Sequence, residues 1–126
     1  MSKTHLSDLE VAGGVFHFDT EDHVANGAIS ILSGVVRLAK TVPGVLAMTL
    51  ANPTAGLSED GGDDFKRLFI ISNQAQANTV TVTGGFGNGG GGEDVATASG
   101  VVGDTLALMA YQGYWYVTGS HQWSLA

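Results

Sequence analysis

The chain has 126 residues, no cysteine, and a net charge of −7 from twelve acidic and five basic residues. This length fits one domain with a core of its own, and the absence of cysteine excludes a disulfide framework. The acidic balance argues against binding to DNA, RNA or an anionic membrane surface, and no apolar run approaches the roughly 20 residues of a membrane span. Only 13% of the residues are charged, against about 25% in average soluble domains. This low proportion suggests that other chains cover part of the surface.

The N-terminal residues 1–14 are interpreted as an extended arm, because residues 1–10 are polar apart from Leu6 and Leu9 and show no periodic pattern. Two possibilities stay open for the arm: a frayed terminus, or a segment that orders on a partner. Residues 15–126 are predicted to form a single β domain. It begins with a short strand at residues 15–18, in which Phe16 and Phe18 share one face.

The rest of the chain reads as short strands separated by glycine, proline and asparagine turn signals. Gly34 interrupts the strand predicted at residues 29–39 and marks a bulge or bend. No amphipathic helix is indicated, so the fold class is all-β, and we expect one small β-sandwich or barrel-like domain. The predicted strands after the first are residues 29–39, 45–50, 65–72, 79–83, 104–111 and 114–118.

The strand predicted at residues 65–72 contains four consecutive apolar residues, Leu68, Phe69, Ile70 and Ile71. A continuous apolar strand is typical of burial on both faces. We therefore expect these residues to contact the core on one face and a neighbouring element or subunit on the other. All four are candidate subunit-interface residues.

The aromatic hairpin at residues 111–117 supplies the remaining candidates for the subunit interface. Trp115 is predicted to point into the core, while Tyr114 and Tyr116 lie on the opposite face of the strand. These two tyrosines are expected at an interface or in solvent.

Two loops contain residues that sometimes bind ligands. Residues 59–64 combine carboxylates with glycines, as calcium loops do, but they lack the alternating acids and closing glutamate of an EF-hand, so a solvated loop is favoured. The glycine loop at residues 84–92 lacks the ending of a phosphate-binding loop. It is predicted to be mobile or to allow a close backbone approach, with Phe86 as an exposed anchor. The four histidines show no zinc spacing, and we predict no catalytic residue, metal or cofactor.

Five segments in a fixed order carry a resemblance to a known family. They include the stretch Leu-Ala-Asn-Pro-Thr-Ala-Gly at residues 50–56, the strand pair at residues 69–73 and 77–83, and the segment at residues 103–108. The last segment is the hairpin Tyr-Gln-Gly-Tyr-Trp-Tyr-Val at residues 111–117. Together they resemble the small β domain of tailed-bacteriophage virion proteins. The resemblance extends over residues 46–119 and implies a β-tulip-like fold without catalytic residues.

Within that family the chain is most similar to a capsid decoration (cement) protein. The resemblance implies a homotrimer on the outer surface of the virion capsid, bound to the major capsid protein and stabilising its lattice. The alternative is a tail or head-fibre module that binds a host receptor or glycan through the aromatic hairpin and Phe86. The candidate capsid contacts, all from the arm and the first strand, are Leu6, Leu9, Val11, Phe16 and Phe18.

Overall fold

The computed structural model describes residues 9–10, 15–16 and 19–126. The described residues form mainly β-strands, which confirms the predicted all-β class. Two short 3-10 turns, at Ser58–Asp60 and Asn88–Gly91, are their helical elements. No helix in these described segments is long and apolar enough to cross a membrane.

The strands are β1 (Leu9–Glu10), β2 (Val15–Phe16), β3 (Thr20–His23), β4 (Gly27–Ile29), β5 (Gly34–Leu38), β6 (Ala47–Leu50), β7 (Arg67–Ser72), β8 (Thr79–Val82), β9 (Val95–Ala98), β10 (Asp104–Tyr111), β11 (Tyr114–His121) and β12 (Trp123–Leu125).

Two five-stranded sheets pack face to face as a small β-sandwich. The first sheet has the order β11-β10-β7-β5-β3, and the second has the order β12-β9-β8-β6-β4. Strands β1 and β2 form a separate antiparallel pair. Of the two predicted architectures, the sandwich is therefore the observed one.

From β3 to β8 the chain alternates between the two sheets, so that each strand is followed by one in the opposite sheet. As a result, β3, β5 and β7 are parallel neighbours, and so are β4, β6 and β8. Parallel neighbours need a long crossover connection. Here a strand of the other sheet serves as that connection, and the last four strands then close both sheets with antiparallel pairs.

The core lies between the two sheets and is filled by the inward-facing residues of both. The pleat sends successive side chains to opposite faces, so every second residue of a strand enters the core. Trp123 belongs to this core, and Leu125 packs against it. The largest fully buried side chains are Trp115, Phe86, Leu38, Leu46, Met48, Leu50, Leu68, Ile70, Leu106, Leu108, Val36 and Val80.

The single strand predicted at residues 29–39 is wrong, because this segment forms two strands in different sheets. β4 pairs with β6 in the second sheet, whereas β5 pairs with β3 and β7 in the first. Gly34, at the start of β5, has a φ of 125°, and a Cβ there would stand 2.1 Å from the carbonyl oxygen of Asp19. Only glycine fits this crossing between the sheets.

Four strands, β1, β3, β9 and β12, are not predicted from the sequence. β3 consists of Thr-Glu-Asp-His at the edge of the first sheet, where polar residues discourage pairing with further strands. β9 consists of Val-Ala-Thr-Ala, whose inward residues are alanines. Neither segment has the strong apolar alternation by which strands are recognised.

Candidate interaction surface

The outer face of the first sheet carries a continuous surface of aromatic and apolar side chains. Strands β7, β10 and β11 are neighbours there, and alternate residues of each point away from the core. The rows are in register: Arg67 lies opposite Met109, which lies opposite Tyr116. We call this surface the aromatic face, and its members are Phe65, Arg67, Phe69, Ile71, Ala107, Met109, Tyr111, Tyr114 and Tyr116.

The four predicted interface residues of β7 divide between the core and the aromatic face. Leu68 and Ile70 are fully buried inside the chain's own core, so they have no surface to offer another subunit. Phe69 is 39% exposed, and Ile71 is half-buried. A continuous apolar run therefore places only every second residue in its own core. Of these four residues, Phe69 and Ile71 are the ones for which a subunit contact stays a prediction.

The β10–β11 hairpin presents the two predicted tyrosines on the aromatic face. It turns through residues 112–113, whose φ values of 50° and 86° are both positive, as a two-residue hairpin turn requires. Trp115 is fully buried, which confirms its predicted core position. Tyr114 is 41% exposed, and Tyr116 is half-buried.

Three rings at one end of the aromatic face form a contiguous cluster. The centroids of Phe65 and Tyr111 are 5.6 Å apart, and those of Tyr111 and Tyr116 are 6.4 Å apart, with tilted planes. These separations are those of attractive aromatic pairs. Phe65 is nevertheless 55% exposed and Tyr111 is 43% exposed. A contiguous exposed patch of large apolar side chains is typical of an interaction site.

Phe65 has an unusual backbone conformation. Its φ of 71° lies in the left-handed region, which non-glycine residues rarely adopt. Its N–H donates a hydrogen bond to the carbonyl oxygen of Ala110 at 2.6 Å. Such conformations persist only where the surrounding structure holds them, and they are concentrated at functional sites.

The loop before Phe65 is anchored by buried carboxylates, which corrects the prediction of a solvated loop. Asp64 is buried and accepts hydrogen bonds from Gly56 N–H at 3.2 Å and from both N–H and Nε2 of Gln112 at 2.8 Å. A carboxylate removed from water needs donors of this kind. Asp64 thereby ties the loop to the segment after β6 and to the β10–β11 turn, and it fixes the position from which Phe65 projects.

Asp63 is the second buried anchor of this loop. It accepts hydrogen bonds from Lys66 Nζ at 2.7 Å and from Thr54 N–H at 2.8 Å. The hydrogen bond from Lys66, followed by the one from Thr54, holds the pKa of Asp63 below its ordinary value, against the opposing effect of desolvation. The fold therefore favours the ionised carboxylate.

This lowered pKa predicts a pH dependence of stability. Because the folded pKa lies below the ordinary value of 3.8, ionised Asp63 stabilises the fold fully above that value. The contribution is lost as the pH falls further, through the lower pKa of the folded state. In urea unfolding between about pH 5 and about pH 3, we expect the free energy of unfolding to fall less steeply for Asp63→Asn than for the wild type. Asp60→Asn, at an exposed position of the same loop, should keep the wild-type slope. Equal slopes for Asp63→Asn and the wild type would contradict the assignment.

The glycine loop at residues 84–92 lies against β11. Phe86 is fully buried and forms a β-bridge with Trp115, so its predicted role as an exposed anchor is wrong. Asn88 fixes the loop through two bonds, since its Oδ1 accepts from Val117 N–H at 2.7 Å and its Nδ2 donates to Val117 O at 3.3 Å. The glycines let this backbone approach the strand closely.

The closest approach is at Gly87, beneath the ring of Tyr116. A Cβ on Gly87 would stand 2.4 Å from Tyr116 Cζ, whereas a Cβ on Gly92 would have no atom within 4 Å. Of the two roles predicted for this loop, the close backbone approach is therefore observed. The loop supports one ring of the aromatic face from below.

Gly87→Ala is expected to lower the free energy of unfolding by about 1–3 kcal/mol, because the Tyr116 ring must leave its position. In a Tyr116→Ala background the same substitution should cost almost nothing, since the obstructing ring is gone. Gly92→Ala is the matched control, because its φ of −82° suits alanine. Urea unfolding of the variants measures both effects, and an equal cost of Gly87→Ala in both backgrounds would disprove the contact.

The outer face of the second sheet differs from the aromatic face because its outward residues are small and uncharged. Threonine and valine suit any pleated strand, so this composition identifies no particular ligand. The outward residues of β6, β8, β9 and β12 are Ala47, Thr49, Thr79, Thr81, Val95, Thr97 and Ser124.

The predicted capsid contacts lie in the N-terminal part of the chain. Leu6, Val11 and Phe18 are outside the described residues. Leu9 and Phe16 are partners in the β1–β2 pair, but their side chains are outside the described part as well. Contact of these five residues with a capsid stays a prediction.

Five members of the aromatic face are not among the predicted interface residues: Phe65, Arg67, Ala107, Met109 and Tyr111. A signal was available, because residues 65, 67, 69 and 71 alternate along the predicted strand and share one face. The positive φ of Phe65, by contrast, has no signature in the sequence.

Among residues 19–126, no group of three or more histidines and carboxylates is arranged to hold a metal ion, and no cavity is found. His23 Nε2 instead lies 2.7 Å from Glu21 Oε1. No protein-family model, curated protein or solved structure matches the chain. Its function is therefore inferred from its own surfaces.

Proposed function

We propose that this chain is a capsid decoration protein, which binds the outside of a phage head as a homotrimer and stabilises the capsid lattice. The observation that supports the proposal is the aromatic face. It combines phenylalanine, tyrosine, methionine and arginine, the residues enriched at the centre of protein interfaces. No carboxylate points outward from β7, β10 or β11, although the whole chain has a net charge of −7.

The rigid support of this face also suits a binding role. Asp64 holds the loop before Phe65, and Asn88 holds the loop beneath Tyr116. Side chains that are ordered before binding lose less conformational entropy when a partner arrives. In this proposal the aromatic face joins the subunits, while the N-terminal arm and first strand contact the major capsid protein.

Stabilisation of the capsid follows from mass action. A ligand that binds only the assembled lattice lowers the free energy of that state relative to its dissociated subunits. Three linked copies on one site bind more tightly than a single copy, because the second and third contacts form within one complex.

The proposal is tested by adding the purified chain to capsids of its phage that were prepared without it. We expect saturable binding and a higher temperature of capsid disruption. A chain that lacks residues 1–14 should bind more weakly and is the matched variant for the predicted capsid contacts. Failure of the full chain to bind, or binding without a rise in disruption temperature, would refute the proposal.

A second candidate is a tail or head-fibre module that binds host glycans. The observation that favours it is the exposure of Tyr111 and Tyr114, since aromatic rings can stack on sugars. The burial of Phe86 removes one residue from the predicted glycan site. Binding on a glycan array that is lost in Tyr114→Ala would support this function, and no binding to any host sugar would refute it.

A further inference from the structure

The charge of the aromatic face indicates the chemistry of its partner. The described residues include four basic side chains, and two of them are neutralised locally: Arg37 pairs with Asp22 at 2.9 Å, and Lys66 pairs with Asp63 at 2.7 Å. Arg67 is exposed and has no carboxylate within ion-pair distance among residues 19–126. An arginine within an apolar and aromatic surface favours a partner that is apolar and acidic.

The same chain carries a surface of that kind at residues 57–60, which we call the acidic turn. Leu57 is 44% exposed, and Glu59 and Asp60 are exposed beside it. The turn has a defined shape, because the carbonyl oxygen of Leu57 accepts hydrogen bonds from Asp60 N–H and Gly62 N–H, both at 2.9 Å.

The acidic turn and the aromatic face share no residue, although they adjoin at the end of the sandwich where Phe65 lies. The loop that contains the turn is tied to the segment after β6 and to the β10–β11 turn, so it lies at an end of the sandwich. The aromatic face lies on the outer face of the first sheet, over β7, β10 and β11. A ring of identical subunits requires two different complementary surfaces on each copy.

We propose that the aromatic face of one copy binds the acidic turn of a second copy, with Arg67 opposite Glu59 and Asp60. Leu57 packs against the rings of Phe65 and Tyr111 in this contact. The inference rests on the proposed homotrimer and names the contact that closes it. Two copies of a chain with net charge −7 repel each other over most of their surfaces. The positive charge of Arg67, which has no ion-pair partner among residues 19–126, therefore also selects the orientation in which they meet.

Charge reversal tests this contact in the purified full chain. We expect sedimentation velocity to detect trimers for the wild type, and Arg67→Glu to raise the dissociation constant by about tenfold or more. Glu59→Lys combined with Asp60→Lys should have the same effect. The triple variant with all three reversals should return to within about threefold of the wild-type constant, because opposite charges again face each other.

Two further variants separate the contact from general effects. Lys40→Glu changes the net charge as Arg67→Glu does, at a position beyond the end of β5 and outside the aromatic face, and should leave the trimer unchanged. Phe65→Ala should weaken the trimer without altering any charge. Urea unfolding of each variant, measured below the concentration at which trimers form, verifies that it is folded.

Each result decides the inference separately from the proposed function. A wild-type chain that stays monomeric up to about 100 μM overturns the inference, and so does a trimer that survives Arg67→Glu or is not restored in the triple variant. In those cases the capsid-binding experiment still decides the proposed function. If the trimer is weakened by the separate charge reversals and restored in the triple variant, but does not bind capsids, the inference is supported and the decoration role is refuted.

Discussion

Trp115→Ala is expected to lower the free energy of unfolding by about 3–5 kcal/mol, the usual cost of removing a large aromatic side chain from a core. Trp115 is fully buried, and its backbone forms a bridge with Phe86 of the glycine loop. Its Nε1–H also donates a hydrogen bond to the carbonyl oxygen of Ala51 at 2.9 Å. The substitution therefore leaves a cavity and an unsatisfied carbonyl where the glycine loop, β11 and the end of β6 meet.

The control for this prediction is the neighbouring residue, Tyr114. It lies on the same strand but on the opposite face, 41% exposed, so Tyr114→Ala should cost less than about 1 kcal/mol. Urea unfolding monitored by circular dichroism measures both variants. Similar costs at the two positions would show that Trp115 is not the centre of the core at this end of the sandwich.

Asn78→Ala is expected to cost about 2–4 kcal/mol, because it leaves several buried polar groups without partners. Asn78 is fully buried, and its Oδ1 accepts hydrogen bonds from Leu46 N–H at 2.8 Å and from Gln74 Nε2 at 2.9 Å. Its Nδ2 donates to Ser72 Oγ at 3.0 Å. One side chain thus connects β7, the segment before β6 and the start of β8.

Asn26 offers a matched comparison for Asn78. Its Oδ1 accepts a hydrogen bond from Ala47 N–H at 2.9 Å, but the site is exposed. Water can replace this bond after Asn26→Ala, so the expected cost is below about 1 kcal/mol. Urea unfolding of both variants tests whether burial, rather than the hydrogen bond itself, decides the loss. A small effect of Asn78→Ala would mean that water or a rearranged Gln74 satisfies the exposed groups.

Local chemistry accounts for the parts of the fold that are predicted correctly. β10 is predicted with its observed bounds, because an apolar stretch follows Asp104 and Thr105 and residues 112–113 follow as a turn. The inward position of Trp115 follows from the alternation of side chains between the two faces of β11. These features depend on near neighbours in the chain, which the sequence contains.

The interaction surface is predicted only in part. Tyr114 and Tyr116 are identified from alternation, whereas Phe69 and Ile71 are identified only as part of a continuous apolar run. The structure places all four on the aromatic face. The burial of Asp64 is not predicted, because its donors, Gly56 and Gln112, are 8 and 48 residues away in the chain. The positive φ of Phe65 depends on the same long-range anchoring.

The sequence by itself determines the β class, most strand positions and the hairpin turn, because pleat alternation and turn conformations are properties of short segments. Only the tertiary structure decides that residues 29–39 divide between two sheets and that Phe86, Asp63 and Asp64 are buried. Each of these outcomes depends on the burial and hydrogen bonding that distant segments supply after they pack together. Strands with similar propensity can pair in several orders, and the free energy of the whole packed sandwich selects one of them.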